Sequence, residues 1–301
     1  MTDYATDYSP SEMIVTAGAR QLENNKVIFA GTGLPMVGIT LAQLTNGPGI
    51  IPVFEAGAVG PTLDRGLPLS VGDSRTTSRA NYIQGLNSAF ELTQRGFIDI
   101  GFIGGAEIDP HGNLNSTMIG KFPENYMKPV VRLPGSGGAG DMSCSCTYTI
   151  LIVQHELRRF VEKLQYCTSI GYLDGSKDAR QKAGLQGKGP KLVITTKALM
   201  GFDDETKRMK ILATMPGETV KSVQDATGFE LMVDKDLYEF APPTKEEIRL
   251  IREVIDPTQI FCKRLKFGAL NQPAELSPSL GLRISSLKAS HGKHSDNYCH
   301  A

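Results

Sequence analysis

The sequence predicts an α/β protein built on an open, mostly parallel sheet flanked by helices. Two observations carry this. The segment "KVIFAGTG", "LPMVGITLAQLT", "IIPVF" gives strand, glycine loop, helix and strand in succession, which is the grammar of parallel sheets with helical crossovers. Several further apolar runs of strand length lack polar alternation, the mark of strands covered on both faces.

The elements follow in order. Ser9-Pro10-Ser11-Glu12 reads as a helix start, with Ser9 as N-cap, Pro10 at the first helical position and Glu12 closing a capping box. That helix runs to about Leu22. After "IIPVF" the chain places Glu55 between Phe54 and the small residues Ala56-Gly57. A polar, glycine-dotted stretch leads to a helix around "YIQGLNSAFELTQRG" and to the strand "FIDIGFIGG". "CSCTYTILIVQ" and "KLQYCTSIGY" are further apolar runs of strand length, the first putting Cys144 and Cys146 on one face of a strand. "PKLVITTKALMGFDDETKRMKILATM" predicts a hairpin around a charged turn. "PPTKEEIRLIREVID" predicts a helix, with prolines before it, acids in its first turn and Ile248, Ile251 and Ile255 on one face. From about Gln272 the chain turns rich in Ser, Lys and His without periodicity. Residues 272–301 therefore read as a disordered tail or a remnant of expression, and residues 1–271 as the folded domain.

Composition narrows the partners. Among 301 residues, 32 basic and 32 acidic side chains cancel, which argues against nucleic acid or an anionic membrane surface. No apolar run approaches a membrane span, and the N-terminus "MTDYATDYSPSEM" is polar and acidic, so the cytoplasm is the expected compartment. Five cysteines without framework spacing fit reduced thiols.

Glu55 is the first chemical candidate, because open α/β sheets keep their ligands at the C-terminal ends of their strands. A strand-end glutamate turned to water is the alternative. Gly31-Thr32-Gly33 fails the G-x-G-x-x-G test, since the next glycine is Gly38. "GSGGAGDM" has P-loop glycine spacing but offers Asp141-Met142 where Lys and Ser or Thr are needed. What remains is a loop of residues without Cβ atoms, which lets a ligand approach backbone N–H groups and can serve an oxyanion as well as a phosphate. A turn needing positive φ is the other reading. In "GGAEIDPHGNLNST", turn chemistry explains most residues, with His111, Asn113 and Asn115 as possible polar contacts. With only His111 and His155 as companions outside the tail, two small buried thiols at Cys144 and Cys146 are the better account than a zinc site, so no metal is expected, and no nucleophile elbow is present.

"FAGTGLP", "PVFEAG", "GFIGGAEIDPHGNLNST" and "GSGGAGD", in this order, resemble the β subunit of class I coenzyme A transferases, of the glutaconate CoA-transferase type. The likeness covers about residues 10–265. It implies a NagB/RpiA/CoA-transferase-like fold and a homologous α subunit, with the active site at the junction of the two. It implies that Glu55, in its E-x-G segment, is the nucleophile that accepts CoA as a covalent thioester. Phe54 and Ala56 depart slightly from the flanks usual in the family. Gly137, Gly138 and Ala139 correspond to the segment facing the thioester, Gly31 and Gly33 to a loop lining the cleft, and Asn115 to a polar oxyanion contact. The implied substrates are an acyl-CoA and a small carboxylic acid, with no tightly bound cofactor. Acyl-CoA hydrolysis or decarboxylation, a non-catalytic subunit and a sugar-phosphate isomerase are the alternatives.

Overall fold

A computed structural model describes residues 2–63 and 66–262; the tail expected from about Gln272 lies outside the described residues. Helix α1 (Pro10–Arg20) begins as the sequence predicts: Glu12 N–H donates to Ser9 Oγ, and Ser9 N–H donates to Glu12 Oε2 at 2.6 Å. Glu12 also accepts from Arg252 Nε at 2.6 Å, so one buried carboxylate caps the first helix and ties it to the last. Strand β1 (Val27–Ala30), helix α2 (Leu34–Leu44) and strand β2 (Ile51–Phe54) form the opening unit. Short strands β3 (Ala58–Val59) and β4 (Tyr82–Ile83) fold back beside β2. Then come α3 (Leu86–Gln94), β5 (Ile100–Ile103), and two small hairpins, β6 (Glu107–Ile108) with β7 (Leu114–Asn115) and β8 (Met118–Ile119) with β9 (Val131–Arg132).

Helix α4 (Ala139–Ser145) leads into β10 (Tyr148–Val153), and α5 (Ala179–Lys182) into β11 (Pro190–Thr195). Strands β12 (Ala198–Phe202) and β13 (Met209–Thr214), helix α6 (Val220–Asp225), strand β14 (Met232–Glu239) and helix α7 (Lys245–Arg249) complete the fold. The last helix loosens into a π-type segment, Leu250–Ile255, closed by Asp256 N–H on the Ile251 carbonyl.

Ten strands make one sheet in the order β14-β13-β12-β11-β10-β5-β1-β2-β3-β4. The five central strands, β11 to β2, are parallel; β3 and β4 extend one side antiparallel, and β12 to β14 form a mixed wing on the other. Alternation along β1 sends Ile28 and Ala30 into the core under α1 and α2, and Phe29 into the opposite core with α3 and α4. The sheet is thus covered on both faces, which is why its strands read as unbroken apolar runs.

Three expectations need correction. Cys144 lies in α4 and Cys146 caps its C-terminus, so "CSC" is the end of a helix and the strand starts only at Tyr148; Cys146 is buried, Cys144 half-buried. A run with Ser and Cys carries little β signal, and the glycines before it start the helix that decides the matter. "KLQYCTSIGY" forms no strand; it packs as a loop that meets β7 through an isolated bridge between Leu114 and Ser169. The expected hairpin around the charged turn exists as β12–β13, but the preceding "PKLVIT" is a separate parallel strand, β11, beside β10.

Candidate active site

The parallel register sets the site. Ala30, the last residue of β1, pairs with Phe54, the last residue of β2, so Gly31 and Glu55 leave neighbouring strands at one level. The connections run outward in opposite directions from β1 and β5, which makes this sheet end the switch point where α/β crevices open.

Side-chain alternation aims Glu55. Phe54 is fully buried in the core of α1 and α2, so the next residue turns to the face of α3 and α4. There a Cβ built on Gly138 would come within 3.4 Å of Glu55 Oε1 and within 2.7 Å of the Phe90 ring. Phe90, from α3, stacks on Phe29 of β1 with ring centroids 5.7 Å apart. The half-buried Glu55 carboxylate therefore lies beside a backbone stripped of its Cβ and an aromatic pair.

The turn that presents Glu55 is fixed by backbone alone. Gly57 N–H donates to the Phe54 carbonyl at 2.8 Å, and Gln84 N–H donates to the Gly57 carbonyl at 2.9 Å. Gly57 has φ +108°, and a Cβ there would fall on the Gln84 carbonyl oxygen. Only glycine satisfies both conditions. Gln84 Nε2 is buried without a hydrogen-bond partner.

The glycine loop before α4 is pinned at its other end: Gly135 N–H donates to the Ser116 carbonyl at 2.8 Å, and Ser116 Oγ to the Gly135 carbonyl at 3.0 Å. Gly137 has φ +48°, Gly138 is the N-cap and Ala139 opens the helix. The first N–H groups of any helix lack intrahelical acceptors, so this end can receive developing negative charge. Gly33 has φ +90° and caps α2, while a Cβ on Gly31 would meet nothing within 4 Å. That leaves half-buried backbone open beside Glu55.

Asn115 does not join this group. Its side chain is fully buried; Nδ2 donates to Glu107 Oε2 and to the Met118 carbonyl, both at 2.7 Å, and Oδ1 accepts from the N–H groups of Thr117 and Met118. No valence is left for a ligand. Asn115 instead holds Glu107, whose buried carboxylate also receives the Gln165 side chain at 2.7 Å and its N–H at 3.1 Å. Asn113 is likewise spent on Asp109, the Leu173 carbonyl and loop N–H groups.

Among the described residues, no cluster of three or more His, Cys, Asp or Glu side chains is placed to hold a metal ion. His155 is buried between Thr195 Oγ1 and Thr227 Oγ1, 2.9 Å from each ring nitrogen, and burial pushes its pKa down to about 4. It is a neutral structural imidazole. Burial pushes the Cys146 and Cys262 thiols up to about 12, away from nucleophile behaviour. No helix among the described residues is long and apolar enough to cross a membrane.

Sequence reasoning named Glu55, the glycines and their loops, and missed Phe90 and Gln84. Phe90 sits 35 residues from Glu55 and its only local signal is that of an apolar helix face. Gln84 acts through its backbone, which side-chain identity does not encode.

The family model for coenzyme A transferase matches residues 11–226. The B subunit of glutaconate CoA-transferase from Acidaminococcus fermentans is 40% identical over 268 residues, 87% of this chain and 97% of that protein. The B subunit of 3-oxoadipate CoA-transferase from Pseudomonas knackmussii is 38% identical over 248 residues, 81% of this chain and 92% of that protein. The crystal structure of glutaconate coenzyme A-transferase from A. fermentans superposes with a TM-score of 0.79 at 38% identity, covering 87% of this chain and 100% of that one.

Proposed function

The chain belongs to the coenzyme A transferase family, and on that premise we propose that it is the catalytic B-type subunit of a heteromeric acyl-CoA:carboxylate CoA-transferase in which Glu55 carries CoA as a glutamyl thioester. The observation that supports this most directly is the approach of Glu55 Oε1 to the Cβ-free backbone of Gly138 at the switch point of the sheet.

A carboxylate is a weak nucleophile in water. Held half-buried beside Phe90 and Gly138, it loses part of its hydration and is positioned for attack. One Glu55 oxygen adds to the thioester carbonyl, and the C–S bond breaks to give CoA thiolate and a mixed anhydride. The thiolate then attacks the glutamyl carbonyl of the anhydride; the acyl group leaves as its free carboxylate, and Glu55 holds CoA. A second carboxylate attacks this thioester, expelling thiolate and forming a new anhydride. Thiolate attack on its acyl carbonyl yields the new acyl-CoA and restores Glu55. Each step conserves electrons, and CoA enters as substrate.

The anhydride is high in energy, so contacts made by the remote parts of CoA must lower its barrier. Backbone N–H groups of Gly137 and Gly138 are our candidates for the oxyanion donors, the Ala139 N–H being held by the Ser136 carbonyl at 2.9 Å; the role is worth ~3–4 kcal/mol per donor in favourable cases. The open backbone at Gly31 and Gly33 is our candidate for the opposite wall. The acids exchanged are small carboxylates of the glutaconate kind, the class suggested by the relatives' names.

Both relatives are B subunits, and an A-type subunit is the partner that completes this reading. Apolar side chains left exposed on the loop between β8 and β9, Phe122, Met127 and Val130, offer it a surface. A cytoplasmic location goes with this reading.

Intact-mass measurement of the co-purified subunits after incubation with acyl-CoA tests it. The mass of this chain should rise by covalently attached CoA, and borohydride should reduce the thioester at residue 55. A chain that turns substrate over without ever carrying CoA would refute the assignment.

A further inference from the structure

At the opposite end of the same strands lies a cavity of about 540 Å³ that the CoA-transfer chemistry does not use. It opens where β10 and β11 begin, whereas Glu55 and the glycine loops lie where the parallel strands end. Its walls carry three cations, Arg180, Lys188 and Lys207, against one carboxylate, Asp178, and the rings of Tyr148 and Tyr172.

Arg180 is the unusual member. It is 8% exposed, and its guanidinium donates only to neutral carbonyls: Nε to Gly187 at 2.9 Å, Nη1 to Gly171 at 2.6 Å and Ile170 at 3.3 Å, and Nη2 to Ser143 at 2.8 Å. Those bonds employ four of its five N–H groups. No ion pair with a carboxylate is made by Arg180 among the described residues, although buried charge ordinarily requires one. Desolvation lowers its pKa from the ordinary value, the direction expected of a cation that no anion faces.

The two lysines have little carboxylate charge beside them. Lys188 Nζ rests over the Tyr148 ring, 5.2 Å from its centroid, and Lys207 Nζ over Tyr172 at 5.5 Å. Lys207 has one distant partner, Asp204 at 3.9 Å, whose side chain is wholly exposed; such a pair contributes little. Both ammonium groups are thus held at the rim by aromatic faces and are free to turn onto an anion.

We infer that this cavity is a binding site for a phosphorylated small molecule of nucleotide size, separate from the CoA-transfer site. Three cationic side chains lining one cavity against a single carboxylate suit a multiply charged anion, with the two lysines as the groups free to grip phosphate as point charges. The volume exceeds what one inorganic phosphate needs and falls in the range of nucleotide-sized ligands. Tyr148 and Tyr172 add aromatic faces on which a base can lie once the lysines turn to phosphate.

Calorimetry with ATP as the probe, on the full chain co-purified with its partner, tests the inference. ATP should bind the wild-type assembly, and CoA should not displace it. Lys188→Glu combined with Lys207→Asn should raise the ATP Kd about tenfold or more; asparagine is chosen because Lys207 has φ +53°, which it tolerates. CoA-transfer turnover without ATP should be unchanged in that variant, which also reports that it is folded. Lys188→Arg should retain binding. Failure of ATP to bind, equal binding by the double variant, or displacement of ATP by CoA would each overturn the inference.

Discussion

At the residue scale the reading turns on Glu55 and two glycines. Glu55→Ala removes the attacking oxygen, so turnover should fall by several orders of magnitude while CoA still binds; steady-state kinetics with calorimetry on the variant checks both. Glu55→Asp keeps the charge but withdraws it by one methylene, roughly 1.5 Å, enough to cost ~10²-fold in kcat. Gly138→Val places branched carbon where Phe90 lies 2.7 Å away and Glu55 Oε1 3.4 Å away. It should lower kcat more than it raises KM, since donors acting in the transition state appear in kcat. An effect confined to KM would mean that the loop only grips CoA. Gly57→Ala must both adopt a positive φ and displace the Gln84 backbone, so it should cost about 2 kcal/mol or more in urea unfolding.

At the scale of elements, His155 links the end of β10 to Thr195 of β11 and to Thr227 just beyond α6. Its folded pKa of about 4 lies below the value of 6.5 usual for histidine. Between these values the unfolded chain binds the extra proton, so the stabilisation present above pH 6.5 is lost as pH falls toward 4. At pH 5 the loss should reach about 2 kcal/mol relative to pH 7, an order-of-magnitude figure. Denaturant midpoints measured at both values check it, and His155→Gln should reduce the slope. The elements were legible where local chemistry was complete. The Ser9 capping box predicted α1, and the prolines and acids before Ile248 predicted the last helix. Its π-type close was not legible, because a change of hydrogen-bond step leaves the apolar spacing nearly intact. The loop at "KLQYCTSIGY" was misread because Gln165 and Thr168 are engaged by Glu107 and Ser116 from distant segments.

For the molecule as a whole, the partner and the tail give two expectations. The chain alone should lack transferase activity and regain it when co-expressed with its A-type subunit. Met127→Lys with Val130→Lys should weaken that assembly in size-exclusion chromatography, because it puts charge on a face proposed to be buried. Full turnover by the isolated chain would contradict the heteromeric reading. Truncation after residue 271 should leave unfolding and turnover unchanged, since the sequence beyond lacks a core-forming pattern. A truncated chain that no longer folds would assign the tail a structural part.

The sequence by itself determined the α/β class, the strand that delivers Glu55 and the glycine loops on either side of it. Each of these rests on periodicity or on backbone freedom encoded within a few adjacent residues. Only the tertiary structure decided which of those residues meet. The register between β1 and β2 levels Gly31 with Glu55, and the packing of α3 and α4 on one face brings Phe90 and Gly138 to the carboxylate. The same packing spends Asn115 on Glu107 and collects Arg180, Lys188 and Lys207 around a cavity at the far end of the sheet. Contacts of that kind join segments tens of residues apart, and they depend on how whole elements dock, which no local pattern records.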